Sequence, residues 1–320
     1  MNTLSAALRN KPYLLALLFG GCLLLTNIIA LPGFAAPGQI AGTLGGLAPF
    51  AVAGMASTPA FLAGGGGIDL SIAPLMGLVN IVFVSDLAGT RLGSPLLAVP
   101  ICLAIGAAVG AVNGTLIAVL RFPPVIATLC TFFIVGGVDL KLAPAPVTLA
   151  TNWTGNLAGS IAGIPGAALT IGLPLLLWFT LGRTPFLDTM LAVGDDEAAA
   201  YSAGVNVTRV RILAYTLGGL LAAVAGLALT GLIRSADATT PGTYTLIALG
   251  AVALGGTNLA GGRGGIGGAA LGASAIFLLQ SVLAALHVSA YWLQVAYGTT
   301  LIAALLAGAA LIGRKQVAVP

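Results

Sequence analysis

Long uncharged stretches of mostly apolar residues, separated by short charged clusters, dominate the chain. A helix needs about 20 apolar residues to cross a bilayer. The stretches 12–68 and 264–313 are each long enough for two spans, and each of the other six holds one. The pattern therefore predicts ten transmembrane helices, some of them short or interrupted by Gly and Pro. The six single-span stretches are 70–85, 92–120, 122–138, 142–182, 212–233 and 238–262.

The apolar runs predict helices, because a helix satisfies its own backbone hydrogen bonds in lipid and the runs show no barrel-like alternation. Composition excludes most other classes. Hydrophobic residues make up 58% of the 320 residues and charged residues 6%, whereas a soluble domain carries roughly 25% charged residues. A soluble enzyme, a nucleic-acid-binding protein and a disordered chain are excluded. The sequence predicts an all-α integral membrane protein whose residues 1–320 form a single transmembrane domain.

The basic residues predict the orientation. With the N-terminus in the cytoplasm, nine of the 12 Lys and Arg residues face inward, which satisfies the positive-inside rule. A cleaved secretory signal at 13–30 is the alternative for the first span, but that run is longer than a usual signal core and further spans follow. The inward set is Arg9, Lys11, Arg121, Arg183, Arg209, Arg211, Arg263, Arg314 and Lys315, and the outward set is Arg91, Lys141 and Arg234.

No constellation of residues predicts catalysis. Residues 262–267 match G-x-G-x-x-G but lack the strand that a dinucleotide-binding turn requires, and no lysine follows a glycine as in a phosphate-binding P-loop. His287 is the only histidine, and the three cysteines are isolated in apolar runs. We therefore predict no catalytic residue, no metal site and no cofactor.

Uncharged polar residues within the spans are the candidates for contact with a transported solute. Amide and hydroxyl groups supply both donors and acceptors, which suits a neutral, polyhydroxylated solute. The alternative for any one of them is an interhelical hydrogen bond, and that alternative is favoured for single residues. The candidates are Asn80, Asn113, Thr128 and Gln280.

Two glycine clusters connect spans on the predicted cytoplasmic side, one at 64–67 and one at 255–265. Their similarity is too weak to establish a duplication. Asp69 follows the first cluster, where a carboxylate can cap free N–H groups at a helix start. The residues assigned to these structural motifs are Gly66, Gly67, Asp69, Gly255, Gly256, Gly262 and Arg263.

Residues 188–211 form the most informative connection. Asp195, Asp196 and Glu197 precede three alanines, a pattern that predicts a short helix with acidic residues in its first turn, and Gly204 is placed to end it. A short exposed helix between two spans suits the docking of a cytoplasmic partner. The residues alone leave an ordinary charged loop equally open.

Four further segments carry motifs in order along the chain. Residues 65–71 read GGGIDLS, residues 123–129 read PPVIATL, and residues 255–264 read GGTNLAGGRG. Together with residues 194–211, these segments resemble bacterial ATP-binding-cassette importer permeases of the ribose/monosaccharide family, and residues 194–211 are similar to the family's coupling region. Within that region 197–199 read EAA, but the glycine and I-x-L-P spacing of the E-A-A element of other importers is lacking. Residues 31–46 and the exit of the fifth span at 139–142 also differ from the family pattern.

The resemblance implies a sugar-importing permease of the bacterial inner membrane, without enzymatic activity of its own. Its partners would be cytoplasmic ATP-binding subunits, an extracytoplasmic sugar-binding protein and a second permease, identical or paralogous. No nucleic-acid partner is expected. A branched-chain amino-acid permease and a stand-alone secondary carrier or channel are the alternatives. The coupling residues implied are Gly194, Asp195, Asp196, Glu197, Ala198, Ala199, Gly204 and Arg209.

Overall fold

The computed structural model describes residues 11–313 and consists mainly of helices. Four two-residue strands form two short antiparallel pairs. A π-helical turn at Phe83–Leu87 extends α3, and 3₁₀ turns occupy Arg91–Gly93 and Thr240–Thr243. The helices are α1 Lys11–Ala30, α2 Pro37–Leu62, α3 Ile72–Val82, α4 Pro95–Ala118, α5 Pro124–Leu142, α6 Gly155–Ala158, α7 Ala167–Leu181, α8 Pro185–Asp195, α9 Glu197–Ser202, α10 Val207–Ile233, α11 Tyr244–Leu254, α12 Ile266–Ala285 and α13 Ala290–Gly313, and the strands are β1 Val147–Thr148, β2 Ser160–Ile161, β3 Ile164–Pro165 and β4 Ser235–Ala236.

The apolar helices fall where the sequence predicts spans, and the all-α membrane class is confirmed. Among residues 11–313, five helices (α2, α4, α5, α10 and α12) are long and apolar enough to cross a membrane. Helices α7 and α8, bent by 85° at their junction, make a sixth span if taken together, and shorter apolar helices cover Ala16–Ala30, Ile72–Leu87 and Thr240–Leu254. With α13, one apolar helix occupies each of the ten predicted positions. That all ten cross the membrane stays a prediction.

Helix α10 lies at the centre of the bundle and packs against α2, α3 and α4. Its closest neighbour is α4, where Gly106 faces the backbone of Gly219 and Gly110 faces the backbone of Tyr215. A Cβ at Gly114 would lie 2.7 Å from the Cα of Ile212. Small residues at four-residue spacing thus let two backbones approach closely in lipid.

The connections group into two opposite sets that agree with the predicted topology. On the predicted outer side, β1 pairs with β4, the Trp153 indole donates a hydrogen bond to the Gly93 carbonyl (2.8 Å), and the Arg234 guanidinium lies close to Gly155. The predicted inner connections meet one another at the other end. Which end faces the cytoplasm stays a prediction, and Arg9, Arg314 and Lys315 lie outside the described residues.

Candidate functional site

Three inner connections meet at one point, formed by Gly64, Gly194, Gly261 and Gly262, which we name the glycine junction. Gly194 lies directly against the carbonyl oxygen of Leu62, the last residue of α2. The Gly262 N–H donates a hydrogen bond to that same oxygen (3.2 Å). The end of α2, the end of α8 and the α11–α12 connection are therefore joined backbone to backbone.

Side chains are excluded from the glycine junction on two grounds. A Cβ at Gly64 would lie 2.7 Å from the Cα of Gly194, and a Cβ at Gly261 would lie 2.7 Å from the Cα of Gly64. Gly64, Gly261 and Gly262 also adopt φ angles of +71°, +111° and +72°, a region that L side chains rarely adopt. Any larger residue here must displace backbone.

Asp195 lies at the rim of the junction. It is the last residue of α8, and its carboxylate is 3.7 Å from Nε of Arg263. A Cβ on Gly262 would lie 2.7 Å from the Asp195 Cα. The sequence predicted Gly262 and Arg263 as a structural motif separate from residues 188–211, and the structure brings the two segments into contact.

Helix α9 begins at Glu197, so the prediction that Asp195, Asp196 and Glu197 all lie in its first turn is wrong for Asp195 and Asp196. Asp195 belongs to α8 instead of the first turn of α9, because Asp196 is extended (φ −151°, ψ 103°) and breaks the helix between them. Asp196 is the N-cap, and its Oδ1 accepts a hydrogen bond from the Ala199 N–H (2.9 Å). The three carboxylates therefore have three different positions: helix end, cap and first turn.

Gly204 ends α9 as predicted. Its φ is +84°, its N–H donates to the Tyr201 carbonyl (2.9 Å), and the Val205 N–H donates to the Ala200 carbonyl (3.1 Å). These two bonds are those of a Schellman motif. Ala200 and Val205 also belong to one apolar cluster, so the turn after α9 is anchored to the protein.

Arg211 of α10 holds the start of α9 by two hydrogen bonds to the Glu197 carboxylate, 3.1 Å and 2.6 Å long. Its guanidinium also lies against Gly65. The sequence singled out Arg209 in this segment and did not indicate the contact of Arg211 with α9. The Arg209 N–H donates to the Asn206 side chain at the start of α10 (2.9 Å), while the Arg209 side chain is exposed.

A cleft of about 760 Å³ separates α9 from the α4–α5 turn. Its walls carry charge from Arg121, Glu197 and Arg211, and the aromatic ring of Tyr201. Ala198 lines the cleft and is exposed, as is Ala199. Small exposed residues therefore lie beside this opening, between the two capped ends of α9.

The remaining motif residues shape the two glycine-rich connections. Gly67 packs against the Ala60 carbonyl, and Gly255 packs against the backbone of Gly268 in α12. Gly66 and Gly256 adopt φ angles of +71° and +77°. These positions explain the glycines by backbone conformation and close packing.

Asp69 is buried just before α3. Its Oδ1 accepts hydrogen bonds from the Ser71 N–H (2.9 Å) and from the Ser71 hydroxyl (2.6 Å). Helix α3 itself begins at Ile72, with Ser71 in the N-cap position. Asp69 therefore accepts from the N–H of Ser71, the residue before the helix, and not from an N–H within α3.

Three of the four candidate solute contacts form hydrogen bonds with other elements of the fold. Asn80 donates hydrogen bonds to the Thr230 hydroxyl and to the Ser235 carbonyl (2.9 Å each). Asn113 donates to the Ser71 hydroxyl (2.8 Å), and Thr128 donates to the Ile68 carbonyl (3.2 Å). Such bonds between elements are the alternative that the sequence favoured for single residues. Within residues 11–313, Oε1 of Gln280 has no hydrogen-bond partner.

Comparison with known proteins places the chain in a family. The family model described as branched-chain amino acid transport system / permease component matches residues 39–305. The chain belongs to this permease family. It is similar to the ribose import permease protein of Bacillus subtilis, with 37% identity over 246 residues that cover 75% of this chain and 76% of the relative.

Two further relatives show a comparable match. The ribose import permease protein of Escherichia coli K12 is 35% identical over 247 residues, covering 75% of this chain and 76% of the relative. The fructose import permease protein of Rhizobium meliloti is 36% identical over 250 residues, covering 74% and 69%. No solved structure matches the chain at a significant level. The matched residues 39–305 include the glycine junction and α9.

Proposed function

We propose that the chain is the transmembrane permease subunit of an ATP-binding-cassette importer that moves a monosaccharide across the bacterial inner membrane. The observation that carries this proposal is the similarity to ribose and fructose import permeases over about three quarters of the chain. The description of the matched family favours a branched-chain amino acid as the second candidate. The sugar permeases match over about three quarters of the chain and support the first.

The proposed importer includes partner chains. Cytoplasmic ATP-binding subunits hydrolyse ATP, an extracytoplasmic sugar-binding protein delivers the solute, and a second permease, identical or paralogous, completes the pathway. The names of the relatives, which are import permeases of ribose and fructose, support this division of labour. The chain itself is assigned translocation and no hydrolysis.

We assign the coupling role to residues 188–211. Helix α9 is held at both ends, by the Asp196 cap and by the turn at Gly204, and its surface at Ala198 and Ala199 is exposed. A partner that moves α9 also moves α10, because Arg211 of α10 forms an ion pair with Glu197 of α9. The same partner also moves the α2–α3 and α11–α12 connections, because both contact the end of α8 at the glycine junction. The contacts support a rigid-body transfer of motion from the ATPase to the spans.

The substrate class is tested by uptake in cells that carry the importer with and without this chain. We expect radiolabelled D-ribose or D-fructose to accumulate only when the chain is present, while L-leucine uptake is unchanged. Loss of L-leucine uptake without any change in sugar uptake would select the amino-acid alternative. A variant with Gly136→Ala controls for expression, because a Cβ there meets open space.

A further inference from the structure

Four buried side chains form a continuous chain of hydrogen bonds, which we name the polar relay: Asp69, Ser71, Asn113 and Thr131. Ser71 donates its hydroxyl proton to Asp69 (2.6 Å) and accepts from the Asn113 amide (2.8 Å). Thr131 donates to the Asn113 carboxamide oxygen (2.5 Å). The relay therefore joins the α2–α3 connection to α4 and then to α5.

Each hydrogen bond of the polar relay has a defined donor and a defined acceptor. The Ser71 hydroxyl acts as donor and acceptor at once, and Asn113 uses both its nitrogen and its oxygen. All four residues are buried, so a lost partner leaves a polar atom unsatisfied in a low-dielectric interior. The Thr128 hydroxyl of α5, which bonds the Pro124 carbonyl of its own helix at 2.9 Å, also lies 3.2 Å from the Ile68 carbonyl of the same connection.

The other end of the α2–α3 connection lies in the coupling region. Gly64 belongs to the glycine junction beside Gly194, and Gly65 lies against the Arg211 guanidinium. Between the two ends the backbone closes on itself: the Gly67 N–H donates to the Gly64 carbonyl (3.1 Å) and the Ile68 N–H to the Gly66 carbonyl (2.7 Å). The connection is thus a compact turn that can pass on a displacement.

Helix α5 depends on this turn more than α4 does. Helix α10 contacts α4 directly along the row of glycines from Gly106 to Gly114. The cleft of about 760 Å³ lies between α9 and the start of α5 at Pro124. Motion of α9 therefore reaches α4 through α10. Helix α5 is tied to the coupling region by the contact between Thr128 and Ile68, by the relay through Asn113 of α4, and by its packing against α3, which follows the turn.

We propose that the turn at 64–71 and the polar relay transmit displacement of α9 to α5, so that Thr131 and Thr128 are positioning residues for opening of the pathway. This inference rests on the coupling role proposed above for residues 188–211. Removal of the Thr131 hydroxyl should separate ATP hydrolysis from transport, because α9 still moves while α5 follows it less completely.

The test compares Thr131→Val, which keeps the shape and removes the hydroxyl, with Thr131→Ser, which keeps the hydroxyl. The matched control is Thr115→Val, because the Thr115 hydroxyl bonds only its own helix at Ala111 (2.7 Å) and is exposed. Each variant is assembled with its ATPase subunits and binding protein in proteoliposomes. Radiolabelled D-ribose uptake and phosphate release are then measured together.

We expect Thr131→Val to hydrolyse ATP at close to the wild-type rate while the sugar transported per ATP falls about fivefold or more. Thr131→Ser and Thr115→Val should keep the wild-type ratio. A purely structural role for Thr131 would instead lower assembly and hydrolysis together. If Thr131→Val does not accumulate in the membrane, the same comparison of Thr128→Val with Thr128→Ser decides.

If Thr131→Val transports as much sugar per ATP as the wild type, the inference is wrong. It is also wrong if Thr131→Ser loses as much transport per ATP as Thr131→Val. A variant with Asp195, Asp196 and Glu197 all replaced by alanine separates this failure from failure of the coupling role. If that triple variant is uncoupled and Thr131→Val is normal, the relay is wrong and the coupling role of 188–211 stands. If both transport normally, the coupling role itself is wrong.

Discussion

Arg211 and Glu197 form a two-pronged ion pair between residues 14 positions apart, with hydrogen bonds of 3.1 Å and 2.6 Å. The arginine side chain is 15% exposed and the glutamate side chain 52% exposed. The pair therefore combines a mostly enclosed guanidinium with a carboxylate at the surface. It fixes the first turn of α9 to α10 in one geometry, since a bidentate pair restrains orientation as well as distance.

The ion pair should matter more for coupling than for stability. Glu197→Gln and Arg211→Gln should each lower transport per ATP, and the double variant should be no worse than either single variant because both remove one interaction. The double-mutant cycle on thermal unfolding should give a coupling energy of at most about 1 kcal/mol, because the carboxylate is exposed to solvent. Additive losses of transport would contradict the shared role.

The glycine junction predicts a severe effect of the smallest possible substitution. Gly194→Ala should disturb the contact between α8 and the Leu62 carbonyl and reduce transport strongly, because a Cβ there meets backbone. The control is Gly137→Ala in α5, where a Cβ meets nothing within 4 Å. Membrane level, ATP hydrolysis and uptake are compared for both. Equal uptake by the two variants would show that the junction tolerates side chains.

The contact between α4 and α10 predicts a loss of stability. Gly110→Ala places a methyl group against the Tyr215 carbonyl, and such overpacking typically costs about 1–3 kcal/mol. Gly172→Ala in α7 is the matched control, with open space around its Cβ. Thermal unfolding in detergent should show a clearly lower midpoint for Gly110→Ala only. Similar midpoints for both variants would mean that the helices can separate at little cost.

Two substitutions of Asp69 distinguish the effect of its hydrogen bonds from the effect of its charge. Asp69→Asn keeps an oxygen that can accept from the Ser71 N–H, so this variant should retain much of the sugar uptake. Asp69→Leu has no acceptor at this position and should lose most of the uptake. Uptake normalised to the amount of inserted protein is the measurement. Equal activity of the two variants would remove the argument that Asp69 acts as an acceptor for the start of α3.

The predicted orientation is checked by labelling single cysteines. In a chain with Cys22, Cys102 and Cys130 replaced, Thr151→Cys should react with a membrane-impermeant maleimide in intact spheroplasts. Ala199→Cys should react only after permeabilisation. Both positions are exposed, so a difference reports the side of the membrane. The reverse pattern would overturn the assignment of the N-terminus to the cytoplasm.

The order of the helices could be predicted from the sequence because charge is costly in lipid, so the gaps between charged residues mark the spans. The end of α9 could also be predicted, since Gly204 suits a left-handed turn. Both signals are local. They depend on a residue and its immediate neighbours and not on the tertiary arrangement.

The contacts that assemble the site could not be predicted in this way. Gly194 meets Leu62 and Gly262 because α8, which is bent by 85° from α7, lies against the end of α2. Arg211 was missed for the same reason, because its distance from Glu197 depends on how α9 lies against α10. The polar residues in the spans correctly indicated hydrogen bonds between helices, but their spacing does not identify the partners of those bonds.

The most direct test of the central claim is solute accumulation in proteoliposomes that contain this chain with or without its ATP-binding subunits. With those subunits, the sugar-binding protein and ATP, radiolabelled D-ribose or D-fructose should accumulate against its gradient. The chain alone should accumulate neither sugar, whatever proton or sodium gradient is imposed. Accumulation by the chain alone, driven by an ion gradient, would contradict the account and identify a secondary carrier.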